Sequence, residues 1–257
     1  MGKSKVKKPA YNKGPGISAK KESALLREFI YEERATVAAI RVGVHPNSAH
    51  FWYRRFREAI YRSLRRPPRL FGEVEMDYAE FGGRGRKRMQ HLLKHYGAVL
   101  SHVEFKEKAK TLRKEHKVMV FGFFQRGGLV YAHIVRRADA ETIAPLVRLI
   151  VEKGARVYTD KWKGFNGLGL DGYKHGTVNH SREYVAKDGS HINSLEGFWS
   201  YSKRRLAKFN GVPRNTLPLH IKECVWRWNT AGHISGEKEK IAALTKALNA
   251  LLKNPPL

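Results

Sequence analysis

Two apolar runs, Lys117–Gln125 and residues 129–135, are joined by Arg126-Gly127-Gly128. A link this short and glycine-rich between strand-like runs is a β-hairpin signal. Strand patterns continue on both sides of it. Upstream, residues 72–81 alternate, with Val74, Met76 and Tyr78 on one face and Glu73, Glu75 and Asp77 on the other, until Gly82-Gly83 stops the run. Downstream, residues 139–153 switch to helical spacing through Ile143, Leu146, Val147, Ile150 and Val151, with Gly154 closing the helix. Residues 155–160 form a short strand that ends in Asp160, and residues 175–179 form one more. A helix follows from His191. The order of five strands and two helices predicts an α/β domain with a mixed sheet.

The helix from His191 carries two separate stripes. Leu195, Phe198, Trp199 and Ser202 recur every three or four residues as a buried row. Asn193, Glu196, Ser200 and Lys203 share the neighbouring face. A carboxylate and a basic residue two turns apart, beside a packed aromatic, make a candidate catalytic face. Alone, the same pattern also fits an ordinary surface ion-pair row.

Charge decides what such a chain meets. The 257 residues hold 50 Lys and Arg against 23 acids, a net charge of +27. That excess points to a polyanion, and nucleic acid is the partner it fits best. One cysteine, Cys224, excludes an internal disulfide and any multi-cysteine zinc site. No apolar run approaches the roughly 18 residues of a membrane span, and the basic start lacks the apolar core of a secretory signal. The expectation is a soluble intracellular protein with no membrane partner.

Residues 1–21 contain seven lysines, two prolines and three glycines, the composition of a flexible basic arm. Residues 22–60 suggest three helices: one with Leu25, Leu26, Phe29 and Ile30, one over 36–42, and one opened by Pro46. Gly43-Val44 supplies the tight turn, where glycine tolerates positive φ. This is the pattern of a helix-turn-helix. Its recognition helix would present Asn47, Ser48, His50, Phe51, Arg54 and Arg55 to double-stranded DNA, against the alternative of a plain helical bundle. Pro67-Pro68 stiffens the boundary that follows. The resulting division is a basic arm at 1–21, a DNA-binding domain and linker at 22–70, a catalytic domain at 71–230 and a C-terminal helix at 231–257. Residues 84–117, with 11 basic and 3 acidic side chains, form a basic excursion between two strands. Two helical segments end the chain, at 217–229 and 236–253. Both suit packing, and the second is a candidate for self-association.

Asp77 on the first strand, Asp160 at the end of the fourth and Glu196 on the later helix form an acidic set in a very basic protein. Carboxylates suit hard Mg²⁺. Two such ions roughly 3.5–4 Å apart can hold the attacking and leaving oxygens of a phosphodiester. Asp77 would bridge both ions, Asp160 and Glu196 would hold one each, and Lys203 would contact a phosphate. Rival chemistries have weaker patterns. His175, His180 and His191 lack standard zinc spacing. Tyr173, Tyr184 and Ser181 lack an evident base. Gly82-Gly83 lacks the end of a P-loop.

Several pieces together resemble a known family. They are Val74-Glu75-Met76-Asp77, Phe121-Gly122 through Gly128, Val157-Tyr158-Thr159-Asp160-Lys161-Trp162, Val178-Asn179-His180-Ser181, the stretch from His191 to Trp199, Ser202-Lys203-Arg204, and Trp226-Arg227-Trp228-Asn229. The segment resembles DDE transposases with an RNase H-like fold, and more narrowly the ISXO2-like insertion-sequence group. Between Asp160 and Glu196 lie 35 residues, a spacing familiar in DDE enzymes. The resemblance implies an RNase H-like mixed five-stranded sheet with flanking helices, preceded by the small all-α helix-turn-helix domain. It implies metal ligation by Asp77 and Asp160, with either Asn193 or Glu196 third and Lys203 ending the signature. It also implies two Mg²⁺ ions, for which Mn²⁺ can substitute. Two departures stand out: there is no cysteine-rich zinc ribbon, and Tyr78 follows the first Asp where relatives often have Glu.

The expected function is an insertion-sequence transposase that binds the element's terminal inverted repeats, cleaves DNA strands and transfers them, acting as a homo-oligomer on DNA. The alternatives are a non-catalytic DNA-binding protein derived from a transposase and a structure-selective nuclease of the same fold. Of the two candidates for third ligand, Glu196 is favoured, with Asn193 as a second ligand or an orienting partner.

Overall fold

Strand-length runs with apolar side chains on both faces need cover on both sides, and the sheet is built that way. A computed structural model describes residues 16–82, 104, 117–137, 139–160, 172–178 and 193–254. The five strands are β1 (Glu73–Gly82), β2 (Lys117–Gln125), β3 (Val130–Val135), β4 (Arg156–Asp160) and β5 (Lys174–Val178). Their order is β3-β2-β1-β4-β5. β1 is antiparallel to β2, and β2 to β3. β1 is parallel to β4, and β4 to β5. These are the order and directions of an RNase H-like sheet, as expected.

One face of the sheet is covered by α4 (Ala140–Ile150). Val74, Met76, Phe121, Phe123 and Val157 pack there with Ile143, Val147 and Ile150, and Tyr78 joins them half-buried. The other face carries α5 (Asn193–Ala207) and α6 (Leu217–Ala231). Ala79, Phe81, Val120 and Ala132 meet Leu195, Phe198, Trp199, Ile221 and Val225. Each large apolar side chain in these layers contributes roughly 2 kcal/mol by leaving water. The alternation in β1 therefore divides two cores, and it turns Glu75 and Asp77 toward α5.

α4 ends earlier than its sequence predicts. Asp139 caps it, its side chain accepting from Thr142 N at 2.9 Å. The apolar stripe runs on to Val151, but the helix stops at Ile150. Leu70 takes Val151 into an isolated parallel bridge, with Leu70 N donating to Ile150 O at 2.7 Å and Glu152 N to Leu70 O at 2.8 Å. Arg69 Nη1 donates to the last-turn carbonyls of Arg148 and Leu149. A tertiary strand contact outcompetes the last helical turn, so Gly154 does not close the helix.

The chain divides into two compact units, Met1–Ser63 with Thr230–Leu257, and Leu64–Asn229. The first is helical: α1 (Ala19–Ile30), α2 (Ala35–Val42), α3 (Pro46–Ser63) and α7 (Glu237–Lys253). Leu25, Phe29, Ala38, Ala49, Tyr53, Phe56 and Ile60 form its core. Phe29 meets the edge of Tyr53 at 5.1 Å. The C-terminal helix α7 contacts α1 and α3, so the two ends of the chain build one unit. The basic arm, apart from residues 16–21, and the basic excursion before Lys117, apart from residue 104, lie outside the described residues.

Candidate active site

Asp77 sits on the central strand, opposite Gly122 of β2. Gly122 is there for space. A Cβ at this position would lie 2.4 Å from Cζ2 of Trp199, 2.8 Å from its Cη2 and 3.0 Å from Leu195 Cδ1. The indole of Trp199 therefore lies directly on the β2 backbone, buried and edge-on to Phe81 at 5.9 Å. From that seat its Nε1 donates to Asp77 Oδ2 at 3.1 Å. A neutral donor locked by packing thus orients a half-buried carboxylate.

The start of α5 is tied to the same strand. Leu195 N, one of the amides that a helix N-terminus leaves without an internal partner, donates to Glu75 Oε2 at 3.0 Å. A carboxylate here also matches the positive end of the helix dipole. Glu75 is fully buried, and its Oε1 accepts from Arg126 Nε at 3.2 Å. Arg126 Nη1 reaches Glu73 Oε2 at 3.2 Å, and its Cζ lies 4.0 Å over the Tyr158 ring. Tyr158 donates its hydroxyl to Glu73 Oε1 at 2.6 Å. That bond, with help from Arg126, holds the Glu73 carboxyl below its usual range, while burial pushes the Tyr158 hydroxyl up. Sequence reasoning missed Glu75. Its available signal was its place two residues before Asp77, on the same face of the strand.

Asp160 ends β4. The parallel ladder pairs Met76 with Thr159, so Asp77 and Asp160 each follow a member of the last pair. The Asp160 side chain lies outside the described residues. Asn193 opens α5, Glu196 stands in its first turn and Lys203 two turns later, all exposed. The stripe of Leu195, Phe198, Trp199 and Ser202 is buried, as the spacing predicts. The anchors Leu195 and Trp199 flank Glu196 in sequence and fix its turn against β1. Among the described residues, no three His, Cys, Asp or Glu side chains group closely enough to hold a metal ion.

Of the residues behind the rival chemistries, His175 and Tyr173 are among those described. His175 Nε2 is 2.8 Å from Thr159 Oγ1, and burial lowers its pKa. Tyr173 donates to Val151 O at 3.3 Å. His180, His191, Ser181 and Tyr184 lie outside the described residues.

In the helical unit, three residues join α2 to α3. Gly43 takes φ +67°, and Val44 N donates back to Ala39 O at 3.0 Å. On α3, Asn47, His50 and Arg54 are exposed, while Ser48, Phe51 and Arg55 are half-buried. Arg54 Nε pairs with Glu58 at 2.8 Å, and the Arg55 guanidinium stacks 5.1 Å from the Trp52 ring.

A family model described as the ISXO2-like transposase domain matches residues 69–229. The chain belongs to the ISXO2-like transposase family. An "Uncharacterized transposase-like protein" of Haemophilus influenzae is 35% identical over 102 residues, covering 40% of this chain and 82% of that protein. The matched stretch closely follows the sheet unit and ends at a structural clamp. Asn229 Nδ2 donates to Val130 O and its Oδ1 accepts from Val130 N, both at 2.9 Å. It thereby holds the edge strand β3. Its neighbour Trp228 packs edge-on against Phe198 at 5.5 Å, which gives the Trp226–Asn229 motif a packing role. Among the described residues, no helix is long and apolar enough to cross a membrane.

Proposed function

We propose that this family member is an active DNA transposase. On this reading α3 recognises the terminal inverted repeats of its element, and the sheet unit cleaves DNA strands and transfers them to a target. The net charge of +27 supports a polyanionic substrate. Joining two element ends in one complex requires a homo-oligomer on DNA, acting at the nucleoid in a prokaryotic cytoplasm.

The donor set of Asp77, Asp160 and Glu196 is all carboxylate and fits Mg²⁺, or Mn²⁺ in its place, better than a softer metal. Bound there, two such ions would supply Lewis-acid activation of the attacking water or 3′-hydroxyl. The protein's own part is positioning. Trp199 fixes the Asp77 carboxylate, the anchored turn presents Glu196, and Lys203 meets a DNA phosphate. At 100° per residue, Glu196 and Lys203 lie about 60° and 40° from Trp199 around α5, and Asn193 about 120°. This favours Glu196 as third ligand and leaves Asn193 an orienting role.

The observation that carries the proposal is the pair of bonds from β1 to α5, Asp77 to Trp199 and Glu75 to Leu195. Plasmid cleavage by purified variants tests it. Glu196→Gln should abolish cleavage in Mg²⁺ while leaving repeat binding intact, and Asn193→Ala should retain measurable cleavage. Normal cleavage by Glu196→Gln with a dead Asn193→Ala would reverse the two roles.

A further inference from the structure

Each acid-bearing element touches one hydrogen-bonded network. Glu75 stands two residues before Asp77, Tyr158 two before Asp160, and Leu195 one before Glu196. Glu75, Arg126, Glu73 and Tyr158 connect through the hydrogen bonds and ring contact already described. Arg126 is further held in place by its own backbone, its N donating to Glu73 O at 2.9 Å. Glu75 joins this network to α5 through the Leu195 amide.

We infer that Glu75 is a positioning residue: its buried carboxylate sets the first turn of α5, and with it Glu196, against Asp77. The inference rests on the carboxylate site proposed above. Glu75 is not itself a candidate ligand. It has no exposed surface, and each of its oxygens already accepts from a protein donor. Stability alone would not call for a charge at this point, because well-packed apolar residues often replace a buried ion pair at no cost. A hydrocarbon side chain would fill the volume, but it would leave the Leu195 N–H without an acceptor and the helix free to slide on its apolar stripe. A carboxylate accepts from two fixed donors in a fixed direction and removes that freedom. Groups one layer behind metal ligands commonly act in this way.

The test uses the full-length protein and Mn²⁺ alone, with bound metal followed by electron paramagnetic resonance and folding by thermal unfolding. Glu75→Met keeps the volume and removes the acceptor, and it should weaken Mn²⁺ binding by about tenfold or more. Glu75→Gln offers one amide oxygen to two donors and should give a smaller loss. Ile143→Ala, a core truncation on the α4 face, controls for stability and should lose melting temperature but keep wild-type Mn²⁺ affinity. Wild-type affinity in either folded Glu75 variant would overturn the inference, as would an equal loss in Ile143→Ala. Asp77→Asn separates the two levels of the argument. If it too binds Mn²⁺ normally, the carboxylate site is refuted and the inference falls with it. If only the Glu75 variants bind normally, Glu75 alone is refuted.

Discussion

The helical unit and the sheet unit are stabilised by different means. Among the described residues, every buried polar or charged side chain belongs to the sheet unit: Glu75, Thr159, Ser202, Arg205, His220, Lys222, Glu223 and Arg227. The core of the helical unit is apolar and aromatic, and its ion pairs, such as Arg41 with Glu28 and Arg54 with Glu58, lie at the surface. Burying charge costs free energy and gives direction in return. On the proposed reading, the helix that meets DNA needs a stable platform and a basic face. A set of carboxylates that must act together needs helix and strand held in one register.

The strongest way to break this contrast is at Glu223. Its Oε1 accepts from Arg205 Nη2 and, at 3.0 Å, from Arg227 Nε, all in the interior between α5 and α6. Glu223→Ala leaves two buried guanidinium groups without their carboxylate and should destabilise the sheet unit by about 3–5 kcal/mol. Removing the surface acid Glu58 from α3 should cost no more than about 1 kcal/mol. Urea unfolding of both variants checks the difference.

Gly122 and Gly43 sharpen it. Gly122→Ala drives a methyl into Trp199, so it should cost about 1–3 kcal/mol and also reduce cleavage by moving the donor to Asp77. Gly43→Ala strains a positive-φ turn and should cost about 1 kcal/mol, with its functional effect on repeat binding. Unfolding curves, cleavage and gel-shift assays on the two variants separate these outcomes.

The last effect is a pH slope rather than a fixed loss. Lys222 lies 3.6 Å over the Tyr131 ring, which favours its charged form. Burial outweighs this and lowers its pKa from 10.5 to about 7. The unfolded chain thus binds the proton more tightly than the folded one. The penalty is fully present below about pH 7, and stability from this group rises as pH climbs from about 7 toward 10.5. Lys222→Met should raise stability at neutral pH and flatten that rise, measured by urea unfolding at several pH values.

Much of this was legible in the sequence because it rests on periodicity. The alternation of Val74, Met76 and Tyr78 against Glu75 and Asp77, the hairpin at Gly127-Gly128 and the stripe from Leu195 to Ser202 all depend on local spacing, and the structure keeps them. What spacing does not encode is which partner arrives from elsewhere in the chain. Glu73 and Glu75 are both acids on one face of β1, yet Glu73 is exposed and Glu75 is sealed by α5. Gly122 shows no turn signal, because its reason is an indole 77 positions later. Val151 continues a helical stripe but is taken by Leu70. The C-terminal helix has an ordinary apolar stripe, which does not reveal that α1 and α3 receive it.

The central claim is a division of labour, with Asp77 on the sheet unit serving cleavage and α3 on the helical unit serving recognition. The most direct measurement is cleavage and binding in parallel on DNA carrying the element's terminal repeats, for Asp77→Asn and for the double variant Arg54→Ala, Arg55→Ala. The account predicts that Asp77→Asn binds like wild type and does not cleave. It predicts that the double variant binds more weakly, with a salt dependence shallower by up to about two units of slope. Cleavage by Asp77→Asn, or unchanged affinity and slope in the double variant, would contradict it.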